Sequence, residues 1–306
     1  MNRVLLITTP RGPYSDYIHD RISTRDYGVD VCYSLVGGYK NKLLRAIRNF
    51  WIRFLPFKFL LFEKWKREIN SYNVVIIIRD QYGEIIADYV SKHSSCKTVL
   101  FFMDPYEKSH FIKKIPLNPP YIVSSFEKAT CEKYGFKYNS LFFFKEELNT
   151  NVVRDVFFVG TDKGRLESLK TLENVFNMFG LKCYFHICKS PGRDYNDDQS
   201  YHYEEPIPYH VVLEKERESA ALLDILPEGQ KDLTLRCYES YFLKKKLITN
   251  NMSVLKYDFY NKNNVFVIGL DDLNEINTFL KKPYEAVFDK EMEQSSFDNW
   301  IKRYLE

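Results

Sequence analysis

What the chain lacks narrows its class first. Its six cysteines (Cys32, Cys96, Cys131, Cys183, Cys188 and Cys237) form no CxxC pair, and no two histidines stand at zinc spacing. The sequence therefore offers no zinc module, and the thiols read as structural or incidental. No run of about 18 uncharged apolar residues occurs, so no helix is expected to span a bilayer. The opening MNRVLLITTP has too short an apolar run for a signal peptide and no cleavage site. The expectation is a cytoplasmic chain with reduced thiols. A formal net charge of +3 is too small to imply nucleic acid by itself.

What is present suits two domains of roughly equal size, since 306 residues is twice a common domain length. The 24 Phe and 23 Tyr are ample for two cores and say little about ligands. The first half alternates strand and helix. RVLLITT, DVCYSLV, VVIIIRD, CKTVLFFMD and PPYIVSSF read as strands, with the continuous β-branched runs of parallel sheets. EIIADYVSKH and FEKATCEKYG read as helices, the second stopped by Gly135. The second half repeats the grammar with the strands DVFFVGT, LKCYFHICK, AALLDI, KLITN and NVFVIG, and with a polar surface loop over residues 190–206. Asp271 and Asp272 open a helix, where capping explains them, and no metal site is expected. The fold class is α/β: two Rossmann-like, doubly wound parallel-sheet domains facing across a cleft. The expected boundaries are 1–148 for an acceptor-binding domain and 149–288 for a donor-binding domain. A last helix in 289–306, with Phe297, Trp300, Ile301 and Tyr304 on one side, would pack back on the first domain.

The stretch DILPEGQKDLTLRCYESYFLKKKLITNN, residues 224–251, is the most informative. A short strand ends in a Pro/Gly loop, the loop feeds a helix near Thr234, and Glu239 lies in that helix's second turn. Loop amides, a hydroxyl and a helix N-terminus together suit the phosphates of a nucleotide, and the carboxylate suits ribose hydroxyls. The loop GTDKGR after DVFFVGT adds Gly160 and Gly164, which permit close backbone approach, and two cations, Lys163 and Arg165.

These segments carry a resemblance. VLFFMDP with VSSFEKATCEKYGFKYNSLFFF, DVFFVGTDKGRLESL, and ALLDILPEGQKDLTLRCYESYFLKKKLITNN followed by YDFYNKNNVFVIG span most of residues 98–270. Together they resemble a GT-B glycosyltransferase of the bacterial lipopolysaccharide or capsular polysaccharide type. Asp232 departs from the pattern, which has Gly there. The resemblance implies a metal-independent enzyme with no cofactor beyond its co-substrate, a nucleotide sugar (a UDP-sugar favoured). It implies that positive side chains and helix amides stabilise the leaving diphosphate. The donor set is then Gly160, Thr161, Lys163, Arg165, Gln230, Thr234, Arg236 and Glu239, with Arg236 serving either Asp224 or a phosphate. Catalysis by inversion needs a base from the first domain. Asp104 ends a strand before Pro105, and Asp16 and His19, with Asp20, follow the first strand and compete for the role. The alternatives are an epimerase or hydrolase of the same fold, or a non-catalytic partner subunit.

Residues 38–69, GYKNKLLRAIRNFWIRFLPFKFLLFEKWKREI, are basic and aromatic together. Lys40, Lys42, Arg45, Arg48, Arg53, Lys58, Lys64, Lys66 and Arg67 oppose Glu63 and Glu68, with Trp51, Phe54, Phe57, Phe59, Phe62 and Trp65 between them. Pro56 divides the segment into two helices. One reading is a flat contact with an anionic bilayer, placing the protein peripherally at the inner membrane face near a glycan or lipid-linked acceptor. The other is that the apolar side packs on the sheet.

Overall fold

The structure is a computed structural model describing residues 3–8, 13–36, 41–78, 82–108, 115–148, 151–190, 201–230 and 232–306. Most of the expected polar loop, the start of the first Pro/Gly loop, Arg79 and Asp80, residues 37–40 and Lys231 lie outside these residues.

The chain forms two compact units, residues 1–141 with 300–306, and residues 142–299. In the first, strands β1 (Val4–Thr8), β2 (Val29–Tyr33), β3 (Val74–Ile78), β4 (Lys97–Phe102), β5 (Ile122–Ser125) and β6 (Lys137–Tyr138) build one sheet in the order β2-β1-β3-β4-β5-β6. In the second, β7 (Arg154–Thr161), β8 (Cys183–Cys188), β9 (Ser219–Asp224), β10 (Lys246–Thr249) and β11 (Val265–Val267) run β11-β10-β9-β7-β8. Every pairing of these strands is parallel. Counted within its own unit, each sheet shows the doubly wound order 2-1-3-4-5, extended by a sixth strand in the first, with its switch point between first and third strands (β1/β3 and β7/β9). Parallel strands need covered faces, and β1, β3 and β10 are buried at every residue.

The helices are α1 (Pro13–Thr24), α2 (Lys42–Phe54), α3 (Trp65–Glu68), α4 (Gly83–His93), α5 (Lys128–Tyr134), α6 (Leu166–Met178), α7 (Tyr209–Arg217), α8 (Leu235–Leu243), α9 (Ile276–Lys281), α10 (Lys290–Glu293) and α11 (Phe297–Leu305). Gly135 takes φ 69° at the end of α5, where its amide returns to the Cys131 carbonyl, a conformation that disfavours a Cβ. Asp272 accepts from the Asn274 amide and opens a 3-10 turn before α9.

Residues 38–69 divide differently from the expectation of two helices. Asn41 caps α2, and Leu55, extended before Pro56, ends it. A 3-10 turn (Lys58–Leu61) and the four-residue α3 follow. Phe62 and Trp65 belong to the core, and the Trp65 indole donates to the Ser34 carbonyl at 3.2 Å. The C-terminal end of α11 closes the first unit. Trp300 is fully buried, donates to the Ser140 carbonyl at 2.8 Å and packs edge-on against Phe101, while the Tyr304 hydroxyl meets Ser124 Oγ at 2.8 Å. At the other end of α11, Phe297 packs with Phe142 and Phe144 of the second unit.

Candidate functional site

In the second unit Gly160, Thr161, Arg165 and Thr234 of the expected donor set lie at the C-terminal edge of β7 and β9, whereas Arg236 and Glu239 turn to residues of α7. Arg165 spans the switch point. Its Nη2 donates to the Thr161 carbonyl at 3.0 Å and its Nη1 to the Ile225 carbonyl, just past β9. The guanidinium also lies 5.0 Å from the centre of the Phe158 ring. Gly160 makes room for it, because a Cβ there would stand 2.9 Å from Nη2. Burial lowers the pKa of Arg165 and Asp224 partly offsets this, so the side chain stays a cation. Among the described residues its Nε is buried without a hydrogen-bond partner.

The loop that carries Lys163 is less open than its glycines suggest. Lys163 and Gly164 both take positive φ, 48° and 83°. Asp162 folds over them: its Oδ1 accepts from the Gly164 and Leu166 amides, each at 3.0 Å, and its Oδ2 from the Tyr203 hydroxyl at 3.1 Å. The Lys163 amide donates to Ser190 Oγ at 2.7 Å. Those amides serve the protein's own acceptors. Asp162 fills the α6 N-terminus that a phosphate would otherwise use.

At α8 the arrangement is reversed. Thr234 is the N-cap residue, yet its side chain makes no capping bond. Its hydroxyl donates instead to Asp224 Oδ1 at 3.0 Å, and Thr249 donates to Asp224 Oδ2 at 3.1 Å. Burial raises the pKa of Asp224, against the two threonine hydroxyls and Arg165, which lower it. The positive end of α8 is thus left to other acceptors. Gln230 sits in the turn closed by its own amide to the Pro227 carbonyl, at 3.2 Å. Asn250 and Asn251 are turn residues, the first accepting from the Leu226 amide at 2.8 Å and the second from the Ser253 amide at 3.0 Å.

Arg236, read as a partner of Asp224 or of a phosphate, faces two other carboxylates. Its Nη1 lies 2.7 Å from Glu239 Oε2 and also meets Glu216 Oε1. The Tyr209 hydroxyl donates to Glu239 Oε1. Glu239 is 1 % exposed, so in this state its carboxylate turns inward. Two buried carboxylates around one guanidinium leave an excess of acceptors, which suits incoming hydroxyl donors. Sequence reasoning missed Glu216, Tyr209 and Asp162. Asp162 alone had a signal, a carboxylate shortly before an apolar helical run.

In the first unit, Asp16 and His19 share one face of α1 at i, i+3 and meet at the β1/β2 edge. His19 Nε2 lies 2.9 Å from Thr8 Oγ1, and its ring stacks on Tyr33 at 3.7 Å. The Tyr33 hydroxyl donates to Asp16 Oδ1 at 2.7 Å. Thr8 and Tyr33 are register partners, so the strand ends assemble this cluster. Asp104 is exposed after β4, two strands along the sheet from β1, about 10 Å by strand spacing. Asp20 is exposed on α1. The structure therefore unites Asp16 and His19 but holds Asp104 apart on the same edge. Among the described residues no group of three His, Cys, Asp or Glu could hold a metal ion.

No protein-family profile matches the sequence, and no curated protein does. Solved structures do match. One is the DNA-modifying enzyme β-glucosyltransferase, solved with and without its substrate uridine diphosphoglucose (15% identity, 99% of this chain and 95% of that chain, TM-score 0.53). A second is T4 phage β-glucosyltransferase (14% identity, 99% and 95% coverage, TM-score 0.51). A UDP-GlcNAc 2-epimerase from Methanocaldococcus jannaschii matches at 12% identity, 100% and 99% coverage and a TM-score of 0.48. At these identities the likeness concerns fold: the two parallel α/β units have the architecture of the GT-B glycosyltransferases.

Proposed function

We propose that this protein is a glycosyltransferase that moves a sugar from a nucleotide-sugar donor to a surface-polysaccharide or lipid-linked glycan. The observation that carries the reading is Arg165, a cation fixed by two strand-end carbonyls at the β7/β9 switch point, in the same sheet edge as the uncapped α8. That combination suits a diphosphate leaving group without a metal ion: the guanidinium and the helix amides take the charge as it develops. Lys163, exposed beside it, adds a second cation. Glu239 takes the ribose hydroxyls once its carboxylate turns from Tyr209 toward the donor. On the first unit, Asp16 and His19 share the task of receiving the acceptor proton, and Asp104 is the competing base. The acceptor's setting is the inner membrane face, and its support is the apolar face of α2 exposed on the first unit.

Uridine diphosphoglucose, the substrate of the β-glucosyltransferase neighbour, is the first donor to test. A panel of UDP- and other nucleotide sugars should raise the melting temperature of the wild type, and Arg165→Ala should lose most of that rise. An unchanged rise in Arg165→Ala would remove the carrying observation. Nucleotide release with and without glycan acceptors, or duplex DNA, separates the reaction classes. Release that needs an acceptor supports transfer; release or sugar isomerisation without one supports the hydrolase or epimerase.

A further inference from the structure

Helix α2 is attached to the first unit by the side opposite its apolar stripe. At about 100° per residue, Leu43, Ile47, Phe50 and Phe54 fall within a sector of roughly 60°, and Ile52 points almost directly away from it. Ile52 is fully buried in the core and Arg48 is buried beside it, whereas Leu43, Ile47, Phe50 and Phe54 are 68%, 51%, 56% and 64% exposed. The stripe continues past the helix end. Phe57 is 65% exposed and held at φ 57°, a left-handed conformation unfavourable for a bulky residue. The turn is braced from below, since the Trp51 indole donates to the Pro56 carbonyl at 3.1 Å and Lys66 Nζ to the Phe59 carbonyl at 2.8 Å. A cleft of about 420 Å³ opens beside it, lined by Phe57, Phe59, Phe62 and Tyr89 together with Lys58, Lys92 and one carboxylate, Asp88. An amphipathic helix ordinarily buries its apolar stripe; this one presents it to solvent.

Charge selects the occupant. Residues 41–62 contain Lys42, Arg45, Arg48, Arg53 and Lys58 and no acidic residue. A second copy docking through the same patch about a twofold axis would set these cations against one another. Duplex nucleic acid would meet Leu, Ile and Phe where its phosphates need cations and hydrogen-bond donors. An anionic bilayer satisfies both features, with apolar side chains below the headgroups and Arg and Lys among them. The helix cannot span: thirteen residues rise about 20 Å, short of the hydrocarbon core.

We propose that the α2 stripe and the turn after it form a docking surface that lies flat in the interface of an anionic phospholipid bilayer. Leu43, Ile47, Phe50, Phe54 and Phe57 enter the acyl boundary, Arg53 at the flank of the stripe and Lys58 in the turn stay at headgroup level, and the adjoining cleft gives one acyl chain a seat. This deepens the acceptor reading above, but binding is measured without donor, so either can fail alone. The experiment is flotation of the full chain with phosphatidylglycerol–phosphatidylcholine vesicles and with phosphatidylcholine vesicles. The wild type should float with the anionic vesicles and much less with the neutral ones. Phe50→Ser with Phe54→Ser should weaken binding at least about tenfold while leaving the melting temperature within a few degrees, because both rings are exposed. Arg53→Gln with Lys58→Gln should weaken it in a salt-dependent way. Wild type left unfloated by anionic vesicles, or floating undiminished in the phenylalanine variant, overturns the proposal. So does a duplex-DNA shift or a concentration-dependent dimer that the phenylalanine variant abolishes in place of vesicle binding.

Discussion

Gly160→Ala tests the proposed donor site with one added carbon. The backbone there is not left-handed, so alanine is conformationally allowed. The obstacle is contact. The new Cβ would stand 2.9 Å from Arg165 Nη2 and 3.4 Å from Phe158 Cζ. Nη2 is the end of a flexible side chain, so the guanidinium moves and the strand does not. The shift breaks the 3.0 Å bond to the Thr161 carbonyl. A hydrogen bond to a charged group contributes about 1.5–3 kcal/mol, which water at the half-buried guanidinium partly restores. Replacing glycine returns about 0.4–1 kcal/mol through the unfolded chain. The net loss is then about 1 kcal/mol, a fall of roughly 2–4 °C in melting temperature for a domain of this size. Donor binding should suffer far more. If the fixed guanidinium grips the diphosphate, its displacement forfeits a charged contact and weakens UDP by roughly ten- to a hundredfold. Calorimetric titration of UDP beside a thermal melt reads both. UDP affinity within twofold of wild type, alongside the small thermal loss, would show that the held position of Arg165 is structural and that the diphosphate lies elsewhere.

Two further outcomes follow from buried groups. Lys246 is almost wholly buried over the Phe279 ring, and burial, helped by Lys282, pulls its pKa from 10.5 to about 8. Between those values the unfolded chain holds a proton that the folded chain has shed, so folding stability gains from this group as pH rises from 8 toward 10.5. Urea melts of wild type and Lys246→Met across that range should differ in slope, the variant lacking this gain; parallel slopes would contradict it. Trp300→Ala should cost about 3–5 kcal/mol by emptying the site between Phe101 and Tyr304, and Trp300→Phe about 1 kcal/mol for the lost bond to Ser140. A loss under about 1 kcal/mol in the alanine variant, measured in urea, would mean that α11 does not hold the first unit together.

The sheets were legible because parallel strands are buried on both faces and leave uninterrupted apolar runs. Ten of the strands coincide with segments read as strands; VLLIT and VVIII are the clearest such runs, while β2 (VDVCY) and β5 (IVSS) carry polar residues. The exception is β6, only Lys137 and Tyr138 at the sheet edge. Two residues, one of them charged, make no apolar run, and the strand exists through its pairing with β5. The segment after Pro56 was misread for a related reason. Its aromatics look alike in sequence, yet Phe62 and Trp65 face the core while Phe57 and Phe59 face solvent. Periodicity marks a stripe but does not say which stripe a neighbour will cover.

The candidate site was legible as an address and illegible as chemistry. Residue type and topology together put Thr161, Arg165 and Thr234 at one sheet edge, because the ends of parallel strands and the turns after them converge there. What a sequence does not display is whether a polar group has already spent its hydrogen bonds. Gly164 advertises an amide for a phosphate, but Asp162 takes it. Thr234 advertises a hydroxyl, but Asp224 takes it, and by doing so withholds a cap from α8. Those two carboxylates act in opposite directions: one closes a helix terminus to anions and the other keeps one open. If the proposed nucleotide-sugar donor binds here, its diphosphate goes to α8 and Arg165 in preference to α6, and substituting Asp162 should alter folding more than donor affinity, whereas substituting Asp224 should release Thr234 to cap α8 and lower that affinity.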